Sequence, residues 1–189
     1  MAFFSEPNLS PKRKFRWIVE IASGTELFTV AAKSVKKPNY SLEATQHKFL
    51  NHQFNYPNRV IWQPINITFV DHIGTAEGAD NSVTSTLYKM LRSAGYVFPT
   101  DSQVCQQSVT KRGATTALGN LVIKQLSGDQ SGLGQLITGE SDVIEQWKVR
   151  NAFITKVDFG DLSYDDDGLI EINCDIVYDW AEYQSSDIS

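Results

Sequence analysis

The sequence predicts a mainly β fold: an antiparallel β-sandwich or barrel with one α-helix packed on it. Three observations carry that expectation. Apolar and polar residues alternate along several separate segments, most clearly over 169–180. Only one segment, 82–95, repeats its apolar residues at helical spacing. Strand signals come in runs rather than alternating with helices, which favours antiparallel pairing. The expected organisation is an extended N-terminal arm (1–13), one β domain with a long projecting loop (14–182) and a short C-terminal tail (183–189).

Pro7 and Pro11 oppose helix in the arm, and Lys12-Arg13-Lys14 closes it with positive charge. Phe15, Trp17, Val19 and Ile21 then face one way, with Lys14, Arg16 and Glu20 the other, as in a half-buried strand. Ser23-Gly24-Thr25 reads as a turn and Leu27 to Ala32 as a returning strand, so a hairpin is expected here. Lys36-Lys37-Pro38-Asn39 is a break, and residues 41–48 can extend. Phe54, Tyr56, Pro57, Asn58 and Trp62 form an aromatic, proline-punctuated stretch that reads as a long loop or projecting hairpin. Such an excursion usually has a task, because ordinary loops are shorter and more polar. Pro64 precedes a strand with Ile65, Ile67 and Phe69 on one face.

Asp71 to Ala79 reads as a linker. Asp80-Asn81-Ser82 offers capping chemistry for the helix, whose stripe is Val83, Leu87, Met90, Leu91 and Ala94 and whose stop is Gly95. One stripe implies one buried face. Residues 99–117 are polar and include Lys111-Arg112-Gly113; Leu118 to Leu126 is a strand; residues 127–142 carry four glycines and read as a flexible connection. Strands follow over Val143 to Arg150 and Phe153 to Phe159. In the last segment, Ile170, Ile172, Cys174, Ile176, Tyr178 and Trp180 alternate with Glu171, Asn173, Asp175, Val177 and Asp179. As one strand, residues 169–180 would span about 40 Å.

The chain has 189 residues, 41% of them hydrophobic and 21% charged, a globular composition long enough to bury a core without disulfides. A formal net charge of −5 argues against a general nucleic-acid binder. That net hides an asymmetry. Residues 1–60 hold nine Lys/Arg against four Asp/Glu, whereas residues 155–189 hold one basic residue and ten acidic ones. A basic beginning and an acidic end can attract copies of the chain head to tail, although a solvated acidic face is the plainer reading. Cys105 and Cys174 form no CxxC pair; Cys174 lies in an apolar stripe and Cys105 in a polar loop. No apolar run reaches membrane-span length, no membrane anchor is expected, and the first residues lack the apolar region of a signal peptide.

The chain offers little to catalysis. Asp165-Asp166-Asp167-Gly168 resembles the start of an EF-hand loop, but aligning Gly168 with the sixth position puts Cys174 where a bidentate Glu is needed. A tight turn explains these residues better. His47, His52 and His72 have no zinc-type spacing, and nucleophile elbows and phosphate loops are absent. Trp17, Trp62, Trp147 and Trp180 are expected in the core or at interfaces. As base-stacking groups they are poorly placed, since Asp179 and Glu182 flank Trp180. No catalytic residue, metal site or cofactor is therefore expected. An open sheet must protect or pair its edges, and extended arms suit a heterologous contact that closes rings and stacks them.

The segment Trp147-x-Val149-x-Asn151-Ala152-Phe153-Ile154 continues through Val157-Asp158-Phe159-Gly160-Asp161-Leu162-Ser163-Tyr164 to Ile176-Val177-Tyr178-Asp179-Trp180-Ala181. It resembles the C-terminal half of tail tube proteins from contractile-tailed bacteriophages. The upstream order agrees: a basic-aromatic first strand, a long loop, a strand ending in Val70-Asp71-His72, and an amphipathic helix. The resemblance spans roughly residues 14–182. Baseplate proteins that initiate the tube, and secretion-system tube proteins, share this fold.

The resemblance implies a structural virion protein, not an enzyme. It would form hexameric rings stacked into a hollow tube, with sheath, baseplate and tail-terminator proteins as partners. Genome DNA would pass through the lumen without specific binding. The protein would be assembled in the host cytoplasm and reside in the virion tail. Glu171, Asp175 and Asp179 become the candidate acidic lumen surface, because like charge keeps phosphates from sticking. Lys12, Arg13, Lys36, Lys37, Phe54, Tyr56, Arg59 and Trp62 become the candidate inter-ring contacts. The competing class is a monomeric β-barrel that binds a small molecule, which needs a pocket with convergent polar groups.

Overall fold

The computed structural model describes residues 12–22, 25–72, 82–98, 108–127, 143–165 and 167–185. Residues 1–11 of the expected arm, the whole of 73–81 and 128–142, and Cys105 lie outside the described residues. The elements run β1 (Trp17–Ile21), α1 (Thr25–Ala31), β2 (Ala32–Val35), β3 (Asn39–Phe49), β4 (His52–Gln63), β5 (Ile65–Val70), α2 (Val83–Ser93), α3 (Lys111–Leu118), β6 (Leu121–Leu126), β7 (Val143–Arg150), β8 (Phe153–Asp158), β9 (Glu171–Val177) and β10 (Trp180–Ser185). The expected class is observed: mainly β, antiparallel throughout, with sandwich-like sheets rather than a closed barrel.

Sheet one has the order β1-β6-β7-β10 and sheet two β2-β5-β9-β8. Alternation places one face of each sheet inward. Sheet one sends in Val19, Ile21, Leu121, Ile123 and Val149; sheet two sends in Ile65, Ile67, Phe69, Ile172, Cys174 and Ile176. The helices complete this core with Phe28 from α1, Val83, Leu87 and Met90 from α2, and Leu118 from α3. Phe28 stacks against Phe69 at 5.1 Å between ring centroids.

The helix over 82–95 forms as expected, capped by Ser82, whose side chain accepts from Ser85 N. Its stripe differs at one position: Leu91 is exposed, while Ala94 is buried. Two further helices were not expected. The returning strand at 27–32 is largely helix α1, so the hairpin at 15–32 does not form; β1 pairs with β6 and β2 with β5. Phe28 and Ala31 are three apart and both buried, with Val30 exposed between them. Seven residues are too few for periodicity to separate the two states, and packing of one face on β1 and β5 decides for helix. Helix α3 starts at Thr110, whose hydroxyl accepts from Gly113 N at 3.1 Å, and buries only Ala117 and Leu118.

The expected single strand over 169–180 is two strands in two sheets. The chain bends at Tyr178-Asp179, and Asp179 N donates to Arg150 O at 3.1 Å. β9 then stays with β5 and β8, while β10 joins β7. Alternation survives the bend, so the sequence pattern could not register it. The chain does turn at Tyr164-Asp165, but no tight hairpin joins β8 to β9. β8 stops at Asp158, paired with Asn173, and a longer exposed connection intervenes, with positive φ at Gly160.

Candidate functional site

The excursion at 39–63 is a hairpin, β3 on β4, that forms a sheet of its own. Its strands of 11 and 12 residues reach on the order of 35 Å. A register shift between Leu42 and Ala44 lets Pro57 sit within the ladder. Every residue from Tyr40 to Ile61 is exposed. Among them are Leu42, Phe49, Leu50, Phe54, Tyr56, Val60 and Ile61, apolar groups left exposed among the described residues. Phe54, Tyr56 and Arg59 therefore lie on the projecting part. Trp62 lies at its root, with its ring 5.4 Å from that of Tyr40 and 5.9 Å from that of Tyr178.

Of the basic candidates before the hairpin, Lys12 and Lys37 bring their side chains to an inward row of sheet one, and Arg13 only its carbonyl. Trp17, Gln125 and Glu145 are aligned across β1, β6 and β7. Glu145 is buried and accepts from Lys37 Nζ at 2.7 Å, from Lys12 Nζ at 2.5 Å and from Trp147 Nε1 at 2.8 Å. Burial works to raise this carboxyl. The hydrogen bonds from Lys12, Lys37 and Trp147 outweigh it and hold the group at about 2. Gln125 Nε2 donates to Arg13 O at 2.9 Å and Gln125 Oε1 accepts from Lys37. One buried carboxylate thus joins the end of the arm, through Lys12, to the hairpin root, through Lys37. Lys36 side chain is exposed, and its backbone N donates to Asn66 O.

Glu145 was not among the sequence candidates. Its signal was present: it shares strand parity with Trp147 and Val149, which places a carboxylate on an otherwise inward face.

Glu171 and Asp175 lie together on the outer face of sheet two. Asp175 accepts from Asn66 Nδ2 at 2.9 Å, and beside it Thr68 Oγ1 donates to Asn173 Oδ1 at 2.8 Å. Glu171 is paired with Lys33. Asp179 is set apart, in the bend. It accepts from Lys111 Nζ at 2.7 Å and Asn151 Nδ2 at 2.7 Å, and these partners hold its carboxyl below the usual range. Among the described residues no group of three or more His, Cys, Asp or Glu is arranged to hold a metal ion, and no helix is long and apolar enough to cross a membrane.

No protein-family profile and no curated protein matches the sequence. Solved structures do match. A chain of the sheath/tube terminator of an extracellular contractile injection system, PVC, superposes with a TM-score of 0.62 at 16% identity, over 93% of this chain and 98% of that one. A chain of the PVC sheath-tube complex gives 0.61 at 15% identity, over 93% and 92%. A chain of the anti-feeding prophage baseplate gives 0.60 at 14% identity, over 95% and 99%. The protein has the tail-tube fold. At these identities the likeness extends to architecture alone. Within the tail-tube fold, the exposed hairpin, the basic row at its root and the polar face of sheet two are the surfaces left for function.

Proposed function

We propose that the protein is a structural subunit of the inner tube of a contractile phage tail. Six copies form a ring, and stacked rings form a channel for DNA and ejected proteins. The observation that carries this reading is the hairpin: over twenty consecutive exposed residues with apolar side chains on a strand pair that hydrogen-bonds to no other described sheet. Such a surface is costly in a monomer and useful in an assembly. The match over more than nine-tenths of the chain to components of sheath-tube assemblies supports it. Phe54, Tyr56 and Arg59, with Lys12, Arg13, Lys36 and Lys37 at the hairpin root, serve contacts between rings, and Trp62 anchors the root. Glu171 and Asp175 face the lumen; Asp179 secures the bend to α3. Partners are further copies, sheath, baseplate and terminator proteins, and the protein resides in the virion tail after assembly in the host cytoplasm. Its role is structural rather than enzymatic.

Negative-stain electron microscopy of the purified chain tests this. Rings or tubes are expected, and a uniform monomer at high concentration refutes it. The likeness to a baseplate chain favours a second reading, a tube initiator, for which single rings that do not stack are expected.

A further inference from the structure

Two exposed features on opposite sides of sheet two complement each other. The first is a groove beside β2, about 470 Å³ in volume, lined among others by Lys12, Lys14, Trp17, Lys33, Lys37 and Trp147. Lysines outnumber carboxylates in its lining five to one. Pairs of Lys33 with Glu171 and of Lys124 with Glu20 reduce the surplus without removing it. A second hollow shares Lys14, Trp17 and Lys33 and carries the groove onto Phe15, which is 73% exposed.

The second feature is the connection from β8 to β9. From Asp158 to Ile170 it has five aspartates and no basic residue. Leu162, Tyr164 and Leu169 on it are 84%, 109% and 76% exposed, so nothing among the described residues covers them. A segment that combines unscreened acid with bare apolar groups suits a site that combines lysines with tryptophans.

Placement decides which copy is the occupant. Sheet two has β2 at one edge and β8 at the other. The groove includes Lys33 to Val35 of β2, and the acidic connection leaves β8. Both lie at the same end of the sheet, since Ala32 pairs with Phe69, Val70 with Glu171 and Asn173 with Asp158. Two different patches at opposite edges are what a heterologous contact requires, and repetition of that contact closes a ring. We infer that the 159–170 connection of one copy docks in the lysine–tryptophan groove of a second copy set beside it, Leu162 and Tyr164 covering Trp17 and Phe15 while Asp161, Asp165 and Asp167 meet Lys14 and Lys33. This contact rests on the self-assembly proposed above and adds a side-by-side interface to the hairpin-mediated one.

Charge reversal separates the two claims. One variant carries Asp165→Lys with Asp167→Lys; the other carries Lys14→Glu with Lys33→Glu. Each keeps its fold by circular dichroism and tryptophan fluorescence, since all four positions are exposed. Light scattering follows assembly against concentration. Each variant alone needs at least about tenfold more protein than the wild type to assemble. An equimolar mixture recovers assembly, because each reversed loop then meets a reversed groove and each native loop a native groove. A disulfide between Lys14→Cys and Tyr164→Cys copies in a Cys105→Ser background gives the same answer by covalent capture. Wild-type assembly by a loop variant, or a mixture that stays blocked, overturns the inferred contact and leaves the self-assembly reading standing. A wild-type chain that never assembles overturns both.

Discussion

Replacing Glu145 by Gln isolates the charge that ties the arm to the hairpin root. The carboxyl sits at about 2, against an ordinary 4.5. A difference of that size is worth roughly 3 kcal/mol at neutral pH. The side chains of Lys12 and Lys37 are 51% and 44% exposed, so water screens both pairs. A discounted value of about 1–2 kcal/mol is the working magnitude. Glutamine keeps the size of the side chain and an acceptor for Trp147 Nε1, and both lysines can turn to water. The variant should therefore fold, less stable by that amount at pH 7.

The pH dependence distinguishes a charge effect from a packing effect. Because the folded carboxyl titrates below the unfolded one, its contribution is complete above about pH 5. It falls as pH drops through 4.5 towards 2, and more than half is gone by pH 3. Urea unfolding followed by tryptophan fluorescence at pH 7, 5, 4 and 3, at concentrations where the chain is monomeric, gives the two stability curves. They should lie apart at pH 7 and draw together by pH 3, to less than half of that gap. Coincident curves at pH 7, or a gap that is the same at pH 3, would show that the pairs contribute nothing in solution or that glutamine acts through packing.

Three other substitutions or treatments test separate parts of the fold. Asp71 accepts from Val83 N at 3.0 Å and Thr84 Oγ1 at 2.6 Å; Asp71→Ala should cost about 1–3 kcal/mol in denaturant unfolding by freeing the start of α2, and a change within error would refute that anchoring. A Cβ at Gly113 would stand 2.6 Å from Ala94 O, so Gly113→Ala should lower the thermal midpoint by forcing α3 off the end of α2; an unchanged midpoint would mean the helices are not in contact there. Burial, with Asp175 beside it, pushes the Cys174 thiol up to about 12, so iodoacetamide at pH 8 should leave Cys174 unmodified in the folded chain by peptide mass spectrometry and modify it in urea.

What was legible in the sequence followed from strict period-two patterns with one wet face. β5, β7 and β9 were readable because Ile65, Ile67, Phe69 and Ile172, Cys174, Ile176 each commit one face to the core. The hairpin was visible from Phe54, Tyr56 and Trp62, an unusual concentration of aromatics in a connecting segment. Three features stayed hidden for physical reasons. Helix α1 is too short for its period to show. Helix α3 has few buried residues to mark a stripe. The bend at Asp179 lies between two strands whose alternation remains in phase, and only the hydrogen bond to Arg150 and the competition of β7 for β10 reveal it. Glu145 is the converse case: its parity was readable, but its meaning depends on Lys12 and Lys37, more than a hundred residues away in sequence.

The charge asymmetry along the chain becomes an asymmetry across the fold, and this carries more weight than the net of −5. Five lysines converge around the groove beside β2, and five aspartates leave the far side of the same sheet. A solvated acidic face would not need to concentrate its counter-charge at the opposite edge, nor to set Leu162 and Tyr164 bare among the aspartates. Under the proposed assembly the acidic residues fall into two groups. The aspartates of the 159–170 connection lie at an edge, where an adjoining copy can neutralise them. Asp175 lies inside sheet two, on β9 between β5 and β8, across from Lys156 of β8 and bonded to Asn66 of β5. Under the proposed assembly, ring closure consumes the first group and leaves the second on the face of the sheet. An acidic wall then persists after the subunits have satisfied one another, which is the electrostatic condition for passing a polyanion without holding it.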